Sequence, residues 1–180
     1  MTVARKVLVV VGVLVLIPIV AIATLAIASG SSDGPSAFLG GGSLVAGELA
    51  QGPEPDWSFA RDIQTIELQL LDPARSRLIW IIENEGKIYV VSGYMDSAIG
   101  RLWKRWPAQA ERDGRAVVRI AGKRYERRLV RIRAGAVVEG VIAELGRKYG
   151  YATTPEDIEA GNTWLFELAP RDLNTTGAPL

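Results

Sequence analysis

The spacing of hydrophobic positions first indicates a membrane segment. Residues 7–28 carry no charged side chain, and such a run, at about 1.5 Å per residue, spans roughly 33 Å, close to the hydrocarbon thickness of a bilayer. Arg5 and Lys6 precede the run, and no Lys or Arg follows it before Arg61. Because basic residues stay on the cytoplasmic side, we predict a transmembrane helix over 7–28, a cytoplasmic N-terminus over 1–6 and an extracytoplasmic domain.

A cleaved signal peptide is the alternative interpretation of the same segment. The small residues Ala26, Ala28 and Ser29 would suit a cleavage site near Ala28, which would release the protein from the cell. Signal-peptide hydrophobic regions are about 7–15 residues long, and this run is longer. The pattern therefore favours an uncleaved single-pass anchor.

The hydrophobic periodicity disappears over residues 29–56. This segment holds seven Gly, five Ser and three Pro, a composition typical of flexible linkers. It predicts a flexible tether, with one short helical turn within 43–50.

Period-two alternation begins after Trp57 and predicts β-strands. Residues 65–72 form the first strand, 77–93 form a hairpin that turns at 84–86, and 162–169 form the last strand. Residues 115–132 form a second hairpin. A turn at Gly122 and Lys123 would place Arg119 opposite Glu126, whereas a turn one residue earlier would place Arg119 opposite Arg124. We predict the first register, because like charges directly opposite each other are destabilising.

Helical spacing separates these strands. Residues 97–113 predict a helix that Pro107 ends or restarts, and 134–148 predict another. Thr154 and Pro155 are typical of a helix start. The order of elements predicts a mainly β (α+β) fold: a small antiparallel split barrel with capping helices over 57–169, followed by a disordered tail over 170–180.

Composition then restricts the chemistry. The 180 residues include no Cys and no His, which excludes disulfides, lipoprotein acylation, thiolate nucleophiles and imidazole acid–base catalysis, and no metal is expected. The net charge is +1, yet 101–133 holds twelve Lys/Arg against three Asp/Glu. Six of these cations lie within 122–133, where the only carboxylate is Glu126. Such a concentration indicates either an anion site or a solvated sheet face with internally paired charges.

The segment 89–132, "YVVSGYMDSAIGRLWKRWPAQAERDGRAVVRIAGKRYERRLVRI", resembles the split β-barrel flavin-binding superfamily. This is the pyridoxamine-phosphate-oxidase-like fold with its deazaflavin-dependent nitroreductase-like branch. The resemblance covers about 65–132 and includes a "YVVS" strand, a helix with Trp and basic residues, and a basic hairpin with a Gly turn.

The resemblance implies a cofactor, FMN or the deazaflavin F420, and an oxidoreductase of the nitroreductase-like kind. It also implies a homodimer with the cofactor at the interface. Carried over residue by residue, the cofactor-binding positions of the family correspond to Arg75, Ser76, Arg77, Ser92, Gly93, Tyr94, Ser97, Arg101 and Lys104. The catalytic residues stay unknown. A flavin performs electron or hydride transfer with its own ring, which suits a chain without His or Cys.

A second hypothesis assigns the basic hairpin to a different partner. In this interpretation the barrel is non-catalytic, and its basic face binds anionic lipid or an acidic protein. Nucleic acid is not expected, because no aromatic stacking motif is interleaved with the basic residues. Trp80, Tyr89, Trp103 and Trp106 are predicted to pack in the core or at its rim.

Overall fold

The apolar N-terminal run forms one long helix, α1 (Val3–Ser29), in the computed structural model, which describes residues 2–35, 40–93, 95 and 105–171. Its mean hydropathy reaches 3.1 over an 18-residue window, none of which is buried. By length and composition this helix can cross a membrane, and Pro18 lies inside it without interrupting it, as transmembrane helices tolerate.

Seven strands form one antiparallel sheet. Their order in the sheet is β2-β1-β5-β6-β7-β4-β3. Their bounds are β1 (Thr65–Leu71), β2 (Ala74–Trp80), β3 (Ile82–Asn84), β4 (Lys87–Ser92), β5 (Arg115–Ile120), β6 (Lys123–Ile132) and β7 (Trp164–Pro170). The predicted antiparallel fold is confirmed.

The two edge strands of this sheet are consecutive in the chain. β2 lies at one edge, β3 lies at the other, and only Ile81 separates them. The chain therefore passes from one edge to the other at Ile81, and the sheet curls into a half-barrel. The Tyr149 hydroxyl oxygen lies 3.0 Å from Ile81 N and 2.7 Å from Ile81 O, and Lys148 Nζ donates to Ile81 O at 2.8 Å.

The concave face of the sheet encloses the main hydrophobic core. Directly paired residues share a face, so Leu68 and Val118, which pair across β1 and β5, both point inward. Trp57 and Trp106 belong to the same core. Its other members include Ile66, Leu70, Ile79, Ile81, Val90, Ala116, Ile120, Leu129, Phe166 and Leu168.

Three α-helices and a 3-10 helix (Trp57–Ala60) complete the described part of the domain. Helix α2 (Trp106–Arg112) carries Pro107 in its first turn, so Pro107 begins a helix, whereas positions 97–104 lie outside the described residues. Helix α3 (Val137–Tyr149) buries Val138, Val141 and Leu145 against the convex side of β3, β4 and β7. In α4 (Pro155–Ala160), Thr154 and Asp157 cap the helix reciprocally.

The predicted turn at 84–86 is confirmed, but the predicted hairpin over 77–93 is wrong in its first arm, because residues up to Trp80 pair with β1 and only Ile82–Asn84 pairs with β4. The register predicted for the β5–β6 hairpin is also wrong. Ala121 and Gly122 form its turn with φ of 48° and 79°, and Arg119 lies opposite Arg124. Two consecutive positive φ angles match the twist of the flanking strands. The like charges are tolerated because Arg119 contacts two carboxylates and Arg124 donates to two backbone carbonyls.

The segment before Trp57 lies on the sheet instead of extending away from it. We call its described residues 33–35 and 40–54 the strap. Gly41 and Ser76 exchange backbone hydrogen bonds of 2.9 and 3.0 Å at the free edge of β2. The predicted helical turn within 43–50 is absent from the described residues, and composition did not predict these sheet contacts. Flexibility of the segment stays a prediction.

Candidate functional site

A cleft of about 300 Å³ opens between β2 and the end of β4. β2 pairs with β1 alone, and β4 pairs with β7 and, over Lys87–Tyr89, with β3. The described strands β2 and β4 do not pair with each other, so the cleft lies at the split of the barrel. Its lining residues are Arg77, Leu78, Ile79, Trp80, Val91, Ser92, Gly93, Trp106 and Tyr151.

Arg77 is the cation of this cleft. It pairs with Leu68 across β1 and β2 and so points to the concave side. Its Nε is buried without a hydrogen-bond partner in the described part of the chain, and its guanidinium carbon lies 5.9 Å from the centroid of the Trp106 ring. Burial lowers the pKa of Arg77 to about 10, so the side chain is cationic at pH 7. Among the described residues no ion pair of Arg77 with a carboxylate is seen; a partly buried cation without such a partner is costly, and an anionic ligand would offset that cost.

Three aromatic side chains, those of Trp80, Trp106 and Tyr151, line the cleft. Trp106 is 7% exposed. Trp80 belongs to the convex face of β2 by strand alternation and lies at the rim, where it stacks on Tyr149 at 4.4 Å and 7° and meets Tyr151 edge-on at 6.0 Å. These rings give the cleft aromatic surface.

Gly93 and Tyr151 shape the wall at the end of β4. A Cβ built on Gly93 would collide with the Tyr151 hydroxyl, so only glycine leaves room for that ring. The Tyr151 hydroxyl lies 3.3 Å from Thr163 Oγ1, which also accepts from Thr153 Oγ1 at 3.0 Å. Ser92 Oγ donates to Met95 Sδ at 3.4 Å.

The structure brings together part of the site expected from the resemblance. Arg77, Ser92 and Gly93 meet at the cleft. Arg75 lies at the exposed start of β2, with its guanidinium against Gly30 at the end of α1. Ser76 is 1% exposed and lies opposite Gln69, so its side chain points to the convex face, away from the cleft. Tyr94, Ser97, Arg101 and Lys104 lie outside the described residues.

Sequence reasoning missed Tyr151 and assigned Trp80 to packing. Tyr151 lies in the loop between α3 and α4, and no local motif distinguishes it from other loop residues. Trp80 could have been noticed from strand alternation, because it falls on the face opposite to Ile79 and Ile81 and is 39% exposed.

Arg131 is a second partly buried cation of the barrel. It pairs with Phe166 across β6 and β7, and its guanidinium carbon lies 3.9 Å from the Trp164 ring centroid and 5.4 Å from that of Phe166. Nε and Nη1 are buried without hydrogen-bond partners among the described residues, and burial lowers the pKa of Arg131 to about 10. Phe166 also lies 5.6 Å from Trp106, which connects Arg131 to the cleft region through ring contacts.

The other cations of the basic run 122–133 bind mostly to the chain itself. Arg124 donates to the carbonyls of Gly47 at 2.9 Å and Leu44 at 3.0 Å. Arg127, 3% exposed, contacts Glu54 at 2.8 Å, and Arg133 contacts Glu111 at 2.9 Å. The run is therefore mainly a paired sheet face.

A larger cleft, of about 430 Å³, lies between strap residues 49–54 with the adjoining Pro55 and the ends of β6 and β7. Its charged side chains already contact one another, Arg127 with Glu54 and Arg171 with Glu126. Because these charges neutralise each other within the chain, the smaller cleft around Arg77 is the better candidate site.

No protein-family model matches the chain, and no curated protein matches it. Two solved structures are similar. One is a NimC/NimA family protein from Clostridium acetobutylicum, at 16% identity over 61% of this chain and 74% of that one, with a TM-score of 0.43. The other is the conserved hypothetical protein Rv2991 from Mycobacterium tuberculosis, at 10% identity over 74% of this chain and 94% of that one, with a TM-score of 0.46.

Proposed function

We propose that this chain is a membrane-anchored split-barrel protein that binds a flavin-type cofactor, FMN or the deazaflavin F420, in the cleft between β2 and β4. Through that cofactor it acts as an oxidoreductase of the nitroreductase-like kind. The observation that carries the proposal is Arg77, a cation inside the barrel whose buried Nε has no hydrogen-bond partner in the described residues.

The residues of the cleft fit such a cofactor in three respects. The Arg77 guanidinium can hold a phosphate, which Arg binds with paired hydrogen bonds. Trp106 and the Trp80–Tyr151 side offer aromatic surface to a planar ring. Gly93 leaves room for the Tyr151 ring in the cleft wall. The volume of about 300 Å³ lies at the lower end of ligand pockets, which run from about 300 to 1,000 Å³.

The chain's own contribution is binding and orientation. A bound flavin or deazaflavin would supply the electron or hydride transfer. Arg77 would hold the anionic end, the aromatic side chains of the lining would contact the ring, and Ile79 would keep water from the inner side of the cleft.

Helix α1 is the proposed anchor. Arg5 and Lys6 at its start support a cytoplasmic N-terminus by the positive-inside rule, with the barrel outside. The homodimer implied by the resemblance belongs to the same proposal.

The test is a binding titration of the full chain in a mild detergent, followed by absorbance for FMN and by fluorescence for F420. We expect saturable uptake of one of them, weakened about tenfold or more in Arg77→Ala because a charge-assisted contact is lost. Arg75→Ala, on the same strand but beside Gly30, is the matched control and should bind normally. A colourless protein that takes up neither cofactor at tens of micromolar would refute the cofactor proposal.

A further inference from the structure

Arg119 holds a charge cluster on the convex face of β1 and β5. Its Nη1 lies 3.0 and 2.9 Å from the two carboxylate oxygens of Asp33 and donates to Ala46 O at 3.1 Å. Its Nη2 donates to Glu67 Oε1 at 2.9 Å, and its Nε also contacts Glu67. These carboxylates hold the pKa of Arg119 above its ordinary value. The Arg119 side chain, on β5, thus contacts two residues of the strap, Asp33 and Ala46.

Asp33 connects the end of the membrane helix to the same cluster. Its Oδ1 accepts from Val45 N at 2.7 Å and from Ala46 N at 3.3 Å. The Val45 amide, with help from Arg119, holds the pKa of Asp33 below its usual range. Asp33 is therefore ionised and bonded at neutral pH to both the strap and the sheet.

The strap also completes the sheet where strands end. β7 pairs with β6 from Arg127 onward, so among the described residues the first positions of β6 have no β7 partner on that side. The strap occupies this place, because Ala50 N donates to Arg124 O and Arg124 N donates to Glu48 O, each at 2.8 Å. A strap that supplies missing sheet hydrogen bonds is part of the fold.

Little chain lies between α1 and these contacts. The helix ends at Ser29 and the first clamped side chain is Asp33, a separation that reaches at most about 14 Å when fully extended. Gly30 itself lies against the Arg75 guanidinium. The connection between α1 and the Asp33 contact is therefore short.

From this geometry we propose that the strap clamps the barrel to the membrane surface at a fixed short distance, with Arg119 as its central contact. The partner of the basic sheet face is the chain's own juxtamembrane segment, whose acidic residues Asp33 and Glu54 meet Arg119 and Arg127. The membrane part of this inference rests on the proposed anchoring by α1, whereas the strap contacts do not depend on cofactor binding.

The first test is hydrogen–deuterium exchange of the full chain in lipid nanodiscs. The amides of Gly41 and Ala50 should exchange slowly in the unmodified protein. Arg119→Gln should accelerate their exchange about ten- to a hundredfold, because it removes charge-assisted contacts that hold the strap closed. Arg115→Gln is the matched control, since Arg115 lies on the same strand and pairs only with nearby Asp113 among the described residues; it should leave both amides protected.

The second test measures the distance between barrel and bilayer. The chain has no Cys, so Arg128→Cys introduces a single labelling site on an exposed position of β6. Energy transfer from this label to a lipid dye should report a narrow distribution of distances between barrel and bilayer. Adding Arg119→Gln should broaden that distribution.

The outcomes separate this inference from the proposed function. Unprotected strap amides in a chain that stays in the nanodisc would overturn the clamp and leave anchoring and cofactor binding standing. Recovery of a processed chain outside the membrane would overturn both the anchor and the clamp to the bilayer. Failure to bind FMN or F420, with protected amides, would refute the cofactor alone.

Discussion

Tyr151 packs against Gly93 so closely that its hydroxyl group fills the space of any side chain at position 93. The two residues belong to different parts of the fold, the loop after α3 and the end of β4. Their contact sets the shape of one cleft wall. The Tyr151 hydroxyl lies 3.3 Å from Thr163 Oγ1 and so keeps the ring in place.

Replacing Gly93 with alanine should therefore change the cleft rather than the fold as a whole. The new methyl group must displace the Tyr151 ring, and we expect cofactor affinity to fall about tenfold, a loss of about 1.4 kcal/mol of binding free energy. The binding titration measures this. Gly146→Ala, on α3 with open space around it, is the control and should bind normally, and Tyr151→Phe should partly rescue Gly93→Ala. Equal affinity for Gly93→Ala and the unmodified chain would contradict the role of this contact.

Glu54 should matter for stability more than its half-exposed position suggests. Its partner Arg127 is 3% exposed, so Glu54→Ala leaves a buried guanidinium without its carboxylate. We expect the free energy of unfolding to fall by about 1–2 kcal/mol, measured by urea denaturation in detergent.

The matched control for Glu54 is Glu111→Ala. Glu111 pairs with Arg133, whose side chain is 63% exposed, and an exposed ion pair contributes about 0–1 kcal/mol. Equal losses for the two variants would show that Glu54 makes no special contribution.

Buried Tyr89 and half-buried Tyr149 predict a loss of stability in alkali. Burial raises the pKa of Tyr149 and of Tyr89 to about 12 each, above the ordinary value of about 10 in the unfolded chain. The folded state then keeps protons that the unfolded state loses, so stability is full below about pH 10 and falls as the pH rises toward 12. A titration of absorbance at 295 nm with parallel circular dichroism should show these tyrosines ionising late, and Tyr149→Phe should reduce the alkaline loss. A loss of structure that Tyr149→Phe leaves unchanged would contradict the assignment.

The hypothesis of an anionic lipid or acidic partner at the basic face also has a direct test. Because Arg119, Arg124 and Arg127 already contact the strap, we expect short-chain anionic and zwitterionic lipids to raise the melting temperature of the detergent-solubilised chain equally. A specific ligand stabilises in proportion to its occupancy. A larger, salt-sensitive shift with the anionic lipid, lost in Arg128→Ala, would support the alternative function.

Periodicity predicted most of the fold but not its long-range contacts. Alternation found most of the strands and helical spacing found α3, because each depends on neighbours within a few residues. It did not find the break at Ile81, where β2 ends and β3 begins at the other edge of the sheet. The β5–β6 register was wrong because pairing was judged between Arg119 and Arg124 alone, although Glu67 and Asp33 neutralise Arg119 from distant positions. The sheet contacts of the strap were not predicted for the same reason, since Gly- and Ser-rich composition does not show which backbone groups a sheet leaves unpaired.

The candidate site was predictable only in part. Arg77 and Ser92 fall on strands that the resemblance identified, whereas Ser76 was grouped with Arg77 by closeness in sequence. Strand alternation separates those two side chains onto opposite faces. Tyr151 reaches the cleft through the path of the chain after α3, which no local pattern specifies.

Ile81, the single residue between β2 and β3, connects the cleft to the end of α3. Lys148 and Tyr149, in the last turn of α3, form hydrogen bonds with the backbone of Ile81 and so fix the point where the chain passes from one edge of the sheet to the other. A substitution of Lys148 or Tyr149 would thus alter the width of the cleft, although neither residue lines it.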